Sequence, residues 1–253
     1  MKKTLVIGID FSLLSPGICI IENNKHKWIS VFTTDEDHQK LLSKEGPFKI
    51  LDGAKDISIN LHEKNDKQGV TYSHTERNKL IASVEEVYSL IKQIKKHTDS
   101  FSGDIYVAME GISFGSKGNT LIDICMATGI LRDAIVKDLL KGQADRFYVF
   151  SPGTIKKYAL KGNAQKNELY EAIVSKPELA GLEFVKLLTM YKESWITPGG
   201  VVKKPLDDLV DATWIALLLK DVVENGLVAE EVKKPKVKKV KKLKKTPVKT
   251  KKL

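Results

Sequence analysis

The sequence is poor in the residues that cross-link small domains or bind soft metals. Its 253 residues include two cysteines, Cys19 and Cys125, and no Cys-x-x-Cys pair, which argues against a disulfide framework or a cysteine-based zinc site. No apolar run approaches the roughly 18 residues that span a bilayer. The apolar stretch near the N-terminus ends at Asp10, short of the roughly 7–15 residues of a signal-peptide core. These absences predict a reduced, cytoplasmic protein with no signal peptide and no membrane segment.

Several motifs of metal and nucleotide chemistry are also missing. The chain has no His-Glu-x-x-His pattern, no Gly-x-x-x-x-Gly-Lys-Ser/Thr loop and no Gly-x-Gly-x-x-Gly loop. A zinc protease of that class and the common nucleotide-binding loops therefore have no support. The histidines fall in polar or loop-like segments, where surface positions are expected: His26, His38, His62, His74 and His97.

Charge is distributed unevenly along the chain. There are 42 Lys and Arg against 32 Asp and Glu, for a net charge of +10, yet residues 233–253 alone contain 12 lysines and no acid. Without that segment, 30 basic residues face 32 acidic ones. We therefore expect one folded domain over 1–226 and a disordered lysine-rich tail over 227–253 that binds DNA without reading its sequence. A solubility tail or a nuclear-localisation signal are the alternatives.

The apolar pattern predicts an α/β domain. Short β-rich runs predict strands at 4–9, 17–22, 28–33, 105–109 and 147–150. Helical spacing of apolar residues predicts helices from Thr75 onward and at 121–140, 165–175 and 206–223. Apart from KILDG, 35–74 predicts no element, and 177–206 is expected to be irregular. The order predicts a mixed five-stranded sheet, antiparallel for strands 1-2-3 and then parallel for strands 4 and 5, with helices on both faces.

Acidic residues lie at the positions where such a sheet collects ligands. Asp10 and Glu110 each end a predicted buried strand, and ligands gather at the carboxyl ends of strands in open α/β sheets. Asp207, Asp208 and Asp211 open the last helix, where Asp208 and Asp211 share a face. Exposed turns and helix capping are the simpler interpretations. Carboxylates without a histidine or cysteine cluster suit Mg²⁺, and a pair of such ions can hydrolyse a phosphodiester.

Ser151-Pro152 predicts the start of a further helix. The loop between that helix and the one predicted at 165–175, residues 161–166, has the composition of a phosphate-binding site. It contains a glycine, and Lys166 falls in the first turn of the next helix. Backbone N–H groups at a helix start attract anions. Because a lysine is disfavoured at this end of a helix, its presence favours a role with a ligand.

These segments together resemble the RuvC-type Holliday junction resolvases of the RNase H-like superfamily. The matching segments are GIDFSLLSPGICI, VAMEGISFG, ATGILRDAI, IKKYALKGNAQK and DDLVDATWIAL, which follow the family's order and cover most of residues 4–220. The strand-end acids combined with the Asp-x-x-Asp helix and the GNAQK loop are specific, since other RNase H-like nucleases lack that loop. The segments at about 35–74 and 177–206 exceed the compact family pattern as insertions, which suits a bacteriophage version.

The resemblance implies a crossover junction endodeoxyribonuclease that acts in recombination and repair. Such an enzyme is a homodimer that binds four-way DNA junctions and hydrolyses two strands, using Mg²⁺ or Mn²⁺ with two ions per active site. By position, Asp10, Glu110, Asp208 and Asp211 would bind the metal ions and, with Lys166, form the catalytic set. The resemblance also implies a DNA-binding set: Phe114, Lys117, Lys156, Lys157, Lys161, Asn163 and Lys166.

Other interpretations stay open beside this one. A catalytically inactive protein of the same fold would bind junctions without cutting them. An actin-like ATPase domain also starts with a Gly-Ile-Asp strand, but it needs two such lobes, and 253 residues without a second phosphate hairpin argue against it. The sequence leaves four-way, three-way and flap substrates open, and it makes 121–140 the candidate dimer interface.

Overall fold

The computed structural model describes residues 3–13, 15–23, 25–33, 47–62, 71–112 and 118–227. They form a six-stranded mixed sheet with helices on both faces, which confirms the predicted α/β class. Two predicted DNA-binding residues, Phe114 and Lys117, and nearly all of the lysine-rich segment lie outside the described residues.

The sheet has one strand more than the sequence predicts. Its strands are β1 (Thr4–Asp10), β2 (Gly17–Glu22), β3 (Lys25–Thr33), β4 (Ile57–His62), β5 (Asp104–Glu110) and β6 (Phe147–Phe150), in the order β4-β3-β2-β1-β5-β6. β1 to β3 are antiparallel, whereas β5 pairs parallel with β1, and β6 with β5, as predicted. The additional strand, β4, pairs parallel with β3 at the sheet edge. The prediction of five strands is therefore wrong by one. Ile57, Ile59 and Leu61 do alternate with polar residues, but this six-residue run stands alone in a long polar segment.

Helices cover both faces of this sheet. They are α1 (Pro47–Asp52), α2 (Tyr72–Thr98), α3 (Asn119–Ala134), α4 (Pro152–Ala159), α5 (Lys166–Val174), α6 (Glu183–Met190), α7 (Lys192–Trp195) and α8 (Leu206–Asn225). A π-helical turn, Ile135–Leu139, continues α3, so the helix predicted over 121–140 changes its hydrogen-bonding pattern near its end. No helix in the described part of the chain is long and apolar enough to cross a membrane.

Alternate residues of β1 face opposite helical layers. Leu5, Ile7 and Ile9 are buried in a cluster with residues of α2 and α3. Val6 belongs to the other cluster, which α8 dominates. This period of two is the ordinary consequence of a pleated strand. Because helices cover both faces, β1 is buried from residue 5 to residue 10.

α8 packs unusually close to the sheet because two strand residues lack a side chain. A Cβ atom added at Gly8 would lie 2.4 Å from the carbonyl oxygen of Ala212 and 2.4 Å from the backbone nitrogen of Ala216. A Cβ atom added at Gly17 would lie 2.3 Å from the carbonyl oxygen of Asp208. The backbone of α8 therefore touches β1 and β2 directly, and its N-terminal turns sit over the strand ends.

Segment 177–206 contributes to the core, and the expectation that it is irregular is wrong. It contains α6 and α7, and the ring of Phe184 lies 4.5 Å from that of Trp28 on β3. The Tyr170 hydroxyl donates to the carbonyl of Leu188 at 2.6 Å, which ties α5 to α6. Both helices are short, with eight and four residues, so their sequences span too few turns for a helical period to stand out.

We predict that Gly8→Ala destabilises the protein through this close packing. The added methyl group would collide with backbone atoms of α8, which cannot rotate away, so we expect a loss of about 2–3 kcal/mol. Thermal unfolding should show a melting temperature lower by about 5–10 °C. Gly129→Ala is the matched control, because Gly129 lies in α3 with open space at its Cβ position. That variant should be at least as stable as the wild type, since alanine is the better helix former. An unchanged melting temperature for Gly8→Ala would contradict direct backbone packing.

Candidate active site

Three elements bring carboxylates to one end of the sheet. Asp10 ends β1 and Glu110 ends β5, and these neighbouring parallel strands are paired in register up to the preceding residue. The first two turns of α8 carry three more acids, Asp207, Asp208 and Asp211, and these five carboxylates form the acid cluster. The acids of α8 lie at the same edge, since Gly17 pairs with Asp10 across β1 and β2 and closely approaches the backbone of Asp208. The close packing of α8 therefore creates the acid cluster.

Burial makes the negative charge of this cluster costly. Asp10 is 8% exposed and Asp208 is 2% exposed. Burial raises the pKa of Asp10 well above its ordinary value, and the charges of Asp211, Asp208 and Glu110 raise it further. Burial, followed by Asp211, raises the pKa of Glu110 to about 7. Burial also raises the pKa of Asp211. The cluster therefore has more carboxylates than its surroundings readily keep ionised.

Lys166, the first residue of α5, places its ammonium group inside this cluster. Its Nζ lies 3.1 Å from Oδ2 of Asp207 and 3.0 Å from Oδ2 of Asp211. Burial opposes the charge on Lys166, but Asp211, Asp207 and Asp10 outweigh that effect and raise its pKa above the ordinary value. Lys166 therefore stays protonated and partly compensates the acids.

Asp208 has separate partners on the far side of the cluster. The Ser15 hydroxyl donates to its Oδ2 atom, and Nζ of Lys204 lies 2.8 Å from Oδ1 and 2.6 Å from Oδ2. Burial, then Asp207, raises the pKa of Asp208 to about 6, and the hydrogen bonds from Lys204 and Ser15 limit that rise. Asp208 is therefore the most fully hydrogen-bonded carboxylate of the cluster.

A further lysine, Lys156 in α4, faces the acids without forming an ion pair with them. Burial raises the pKa values of Glu110 and Asp211, and the charge of Lys156 opposes part of that rise in both cases. The position of Lys156 is therefore consistent with a contact to a polyanion at the edge of the cluster.

The loop before α5 has its own internal contacts. Lys161 forms an ion pair with Glu168, which also accepts the backbone N–H of Gln165 at 2.8 Å. The carbonyl of Asn163 accepts a hydrogen bond from the Gln165 side chain at 3.3 Å. Lys157 lies against the turn, since a Cβ atom added at Gly162 would meet its side chain at 3.1 Å. These contacts fix the loop that leads into Lys166, although they do not bring Lys161 or Asn163 into the acid cluster.

The donor chemistry of the cluster fits a hard divalent cation. The acidic groups of the cluster are all aspartate and glutamate carboxylates, which are the ligands that Mg²⁺ and Mn²⁺ prefer. Oδ1 of Asp207 is buried without a hydrogen-bond partner among the described residues, and Lys166 already stands among the acids as a cation. As the side chains stand, no three acids, histidines or cysteines in the described ranges are arranged to hold one ion. Cation binding would therefore require these side chains to move.

Solved structures of similar shape exist, at low sequence identity. Thermus thermophilus RuvC is 15% identical over 88% of this chain and 96% of that chain, with a TM-score of 0.45. T. thermophilus RuvC in complex with Holliday junction substrate is 14% identical over 87% and 96%, with a TM-score of 0.46. The yeast mitochondrial Holliday junction resolvase is 15% identical over 83% and 75%, with a TM-score of 0.33.

No protein-family model and no curated protein matches the chain. Likeness at the level of these solved structures identifies no activity. The function therefore has to be inferred from this chain's own residues.

The structure brings the predicted acids and Lys166 together and adds Ser15 and Lys204, which the sequence did not single out. It also brings in Asp207, which the sequence named only as one of the acids that open the last helix. Ser15 and Lys204 bind Asp208, and Asp207 shares Lys166 with Asp211. A signal for Lys204 was present, since it is a cation four residues before Asp208, just ahead of α8. Ser15 had no such signal, because its contact depends on how α8 crosses the sheet.

We predict that the free energy of unfolding of Glu110→Gln increases relative to that of the wild type as the pH rises from 5 to 8 in the absence of divalent ions. The folded state holds the Glu110 proton up to about pH 7, whereas the unfolded chain releases it near the ordinary value. Stability therefore falls with rising pH in that window for the wild type, and glutamine removes this loss, by up to about 3 kcal/mol.

Urea unfolding at several pH values, with a chelator present, measures this difference. Glu224→Gln is the control, because Glu224 lies on the protein surface in an exposed pair with Lys220. The Glu110→Gln difference should change with pH by clearly more than the Glu224→Gln difference. A pH-independent difference for Glu110→Gln would contradict the raised pKa.

Proposed function

We propose that this chain is a divalent-metal-dependent endonuclease that hydrolyses phosphodiester bonds in branched DNA, with four-way junctions as the main substrate. The observation that carries the proposal is the buried surplus of carboxylates around Asp10, Glu110 and Asp211, together with the half-exposed Lys166 beside them. Such a surplus is costly to the fold. Burial of this many carboxylates together is accounted for by the binding of cations and a phosphate.

Asp10, Glu110 and Asp211 would hold the metal ions, and the sequence resemblance adds Asp208 as a fourth ligand. A bound Mg²⁺ or Mn²⁺ supplies an activated water and neutralises charge on the scissile phosphate, and this number of acids suits two ions. The protein's own contribution is to hold these carboxylates close together at the strand ends, where a bound cation would favour their ionised form. Ser15 and Lys204 contribute by fixing the orientation of Asp208.

Lys166 is the residue best placed to contact the phosphate. Its side chain is 49% exposed, and its ammonium group lies beside Asp211. A lysine in this position can donate to a non-bridging phosphate oxygen and stabilise the charge that develops there. Lys156, in the neighbouring helix, would add attraction for the DNA backbone.

The branched substrate rests on the resemblance of five sequence segments that occur in the family's order. It implies a homodimer, since two opposed nicks require two active sites related by a two-fold axis. We extend the proposal to a cytoplasmic role in recombination or repair, in a bacterium or a phage-infected cell. The free cysteines Cys19 and Cys125 are consistent with a reducing compartment.

We predict that Asp10→Asn, Glu110→Gln and Asp211→Asn each lower cleavage of a labelled four-way junction by at least about a hundredfold, in the range typical of losing one essential electrostatic contact. Junction binding should be retained or tightened, because each change removes a negative charge near the phosphate. Single-turnover cleavage with Mg²⁺ and gel-shift titration with Ca²⁺ measure the two effects separately.

Glu224→Gln is again the control, since it removes one acid at a distance from the cluster. It should cleave at the wild-type rate. Wild-type rates in Asp10→Asn and Glu110→Gln would exclude this active site. Junction binding by the wild type with no Mg²⁺-dependent or Mn²⁺-dependent cleavage would identify a catalytically inactive junction-binding protein instead.

A further inference from the structure

The contacts of Lys166 identify a pair of carboxylates that behaves as a cation position. Its ammonium group lies 3.1 Å from Oδ2 of Asp207 and 3.0 Å from Oδ2 of Asp211. These two acids are four residues apart on α8, so their side chains lie one turn apart on the same face. Two carboxylates thus converge on one positive charge.

Asp207 has an unsatisfied atom at this position. It is 8% exposed, and its Oδ1 atom is buried with no hydrogen-bond partner among the described residues. A buried carboxylate oxygen without a partner is energetically costly, so its presence points to a ligand. The nearest other cation among the described residues, Nζ of Lys204, is 3.8 Å from Oδ2 of Asp207, whereas it lies within 2.8 Å of both oxygens of Asp208.

The two lysines of the cluster differ in how exposed they are. Lys204 has a side chain that is 34% exposed and contacts both oxygens of an almost fully buried carboxylate. Lys166 has a side chain that is 49% exposed and meets one oxygen of each of two acids. Lys166 is therefore the lysine with the more open route to solvent or to a phosphate, once another cation compensates its two acids.

We propose that Asp207 and Asp211 form a divalent-cation position, which Lys166 fills until a cation displaces it. This proposal rests on the proposed function, and it adds Asp207 to the residues that bind metal. A doubly charged ion would compensate two carboxylates more completely than one ammonium group does. The displaced Lys166 would then be free to contact the DNA phosphate, which couples metal binding to substrate binding.

Mn²⁺ binding to the protein without DNA tests the competition. Lys166→Met keeps the length of the side chain and removes its charge, so the Mn²⁺ affinity measured by titration calorimetry should rise by about tenfold, within the usual range for coupled sites. Lys156→Met is the matched control. It removes an equal charge that acts on Asp211 and Glu110 without an ion pair, so its effect should be clearly smaller. An equal rise in Mn²⁺ affinity in the two variants would show that Lys166 acts only through its general charge, and it would overturn the proposal.

Asp207→Asn tests the ligand role directly. Mn²⁺ affinity should fall by about tenfold, and adding Lys166→Met should no longer raise it, because the competed position is lost. An affinity equal to wild type in Asp207→Asn would remove Asp207 from the ligand set and contradict the proposal. Circular dichroism checks that the variants are folded. If Asp207→Asn does not fold, the Mn²⁺ affinity of Lys166→Met, which replaces a half-exposed residue, decides the proposal.

An NMR titration with Mg²⁺ provides an independent readout. The ammonium signal of Lys166 should shift toward that of a solvent-exposed lysine as Mg²⁺ is added, while the Lys204 signal stays in place. An unmoved Lys166 signal at saturating Mg²⁺ would contradict displacement. These experiments contain no DNA, so displacement without junction cleavage would reject only the proposed function. Cleavage without displacement would reject only this inference.

Discussion

The acid cluster depends on the direct contact between α8 and the sheet. Gly8 and Gly17 leave no Cβ atom between the strands and the helix backbone, so α8 lies closer to β1 and β2 than any larger residue would allow. That approach places the first two turns of α8 over the end of β1. Asp208 and Asp211 then meet Asp10 at a distance where their charges interact. The glycines therefore determine the geometry of the site, although neither contributes a side chain to it.

The same contact imposes an electrostatic cost. Carboxylates that are buried next to one another have raised pKa values, and the structure relieves this repulsion with lysines rather than by moving the acids apart. Lys204 and Ser15 stabilise Asp208 on one side, and Lys166 stabilises Asp207 and Asp211 on the other. In the proposed function this loss of stability would be the cost of a capacity to bind cations, as is common where function requires unfavourable local structure.

The sequence predicted the parts of this arrangement that local patterns determine. The central strands are continuous apolar runs, and a carboxylate at the end of each one stands out, so the pattern of residues alone selects Asp10 and Glu110. The short helices α6 and α7 were missed because they span too few residues for a helical period to emerge. The edge strand β4 does alternate, but it stands alone in a long polar segment. The contacts of Ser15 and Asp207 depend on the crossing of α8 over the sheet, which no local pattern specifies.

Anomalous diffraction from crystals grown with Mn²⁺ tests the central claim most directly, because it locates cations without reference to activity. We expect peaks at the end of β1, within coordination distance of the carboxylates of Asp10 and Asp211, and an ammonium group of Lys166 that has left Asp211. Strong Mn²⁺ peaks elsewhere on the protein, with no peak at the acid cluster and with Lys166 still paired with Asp207 and Asp211, would contradict a metal-dependent active site at this position.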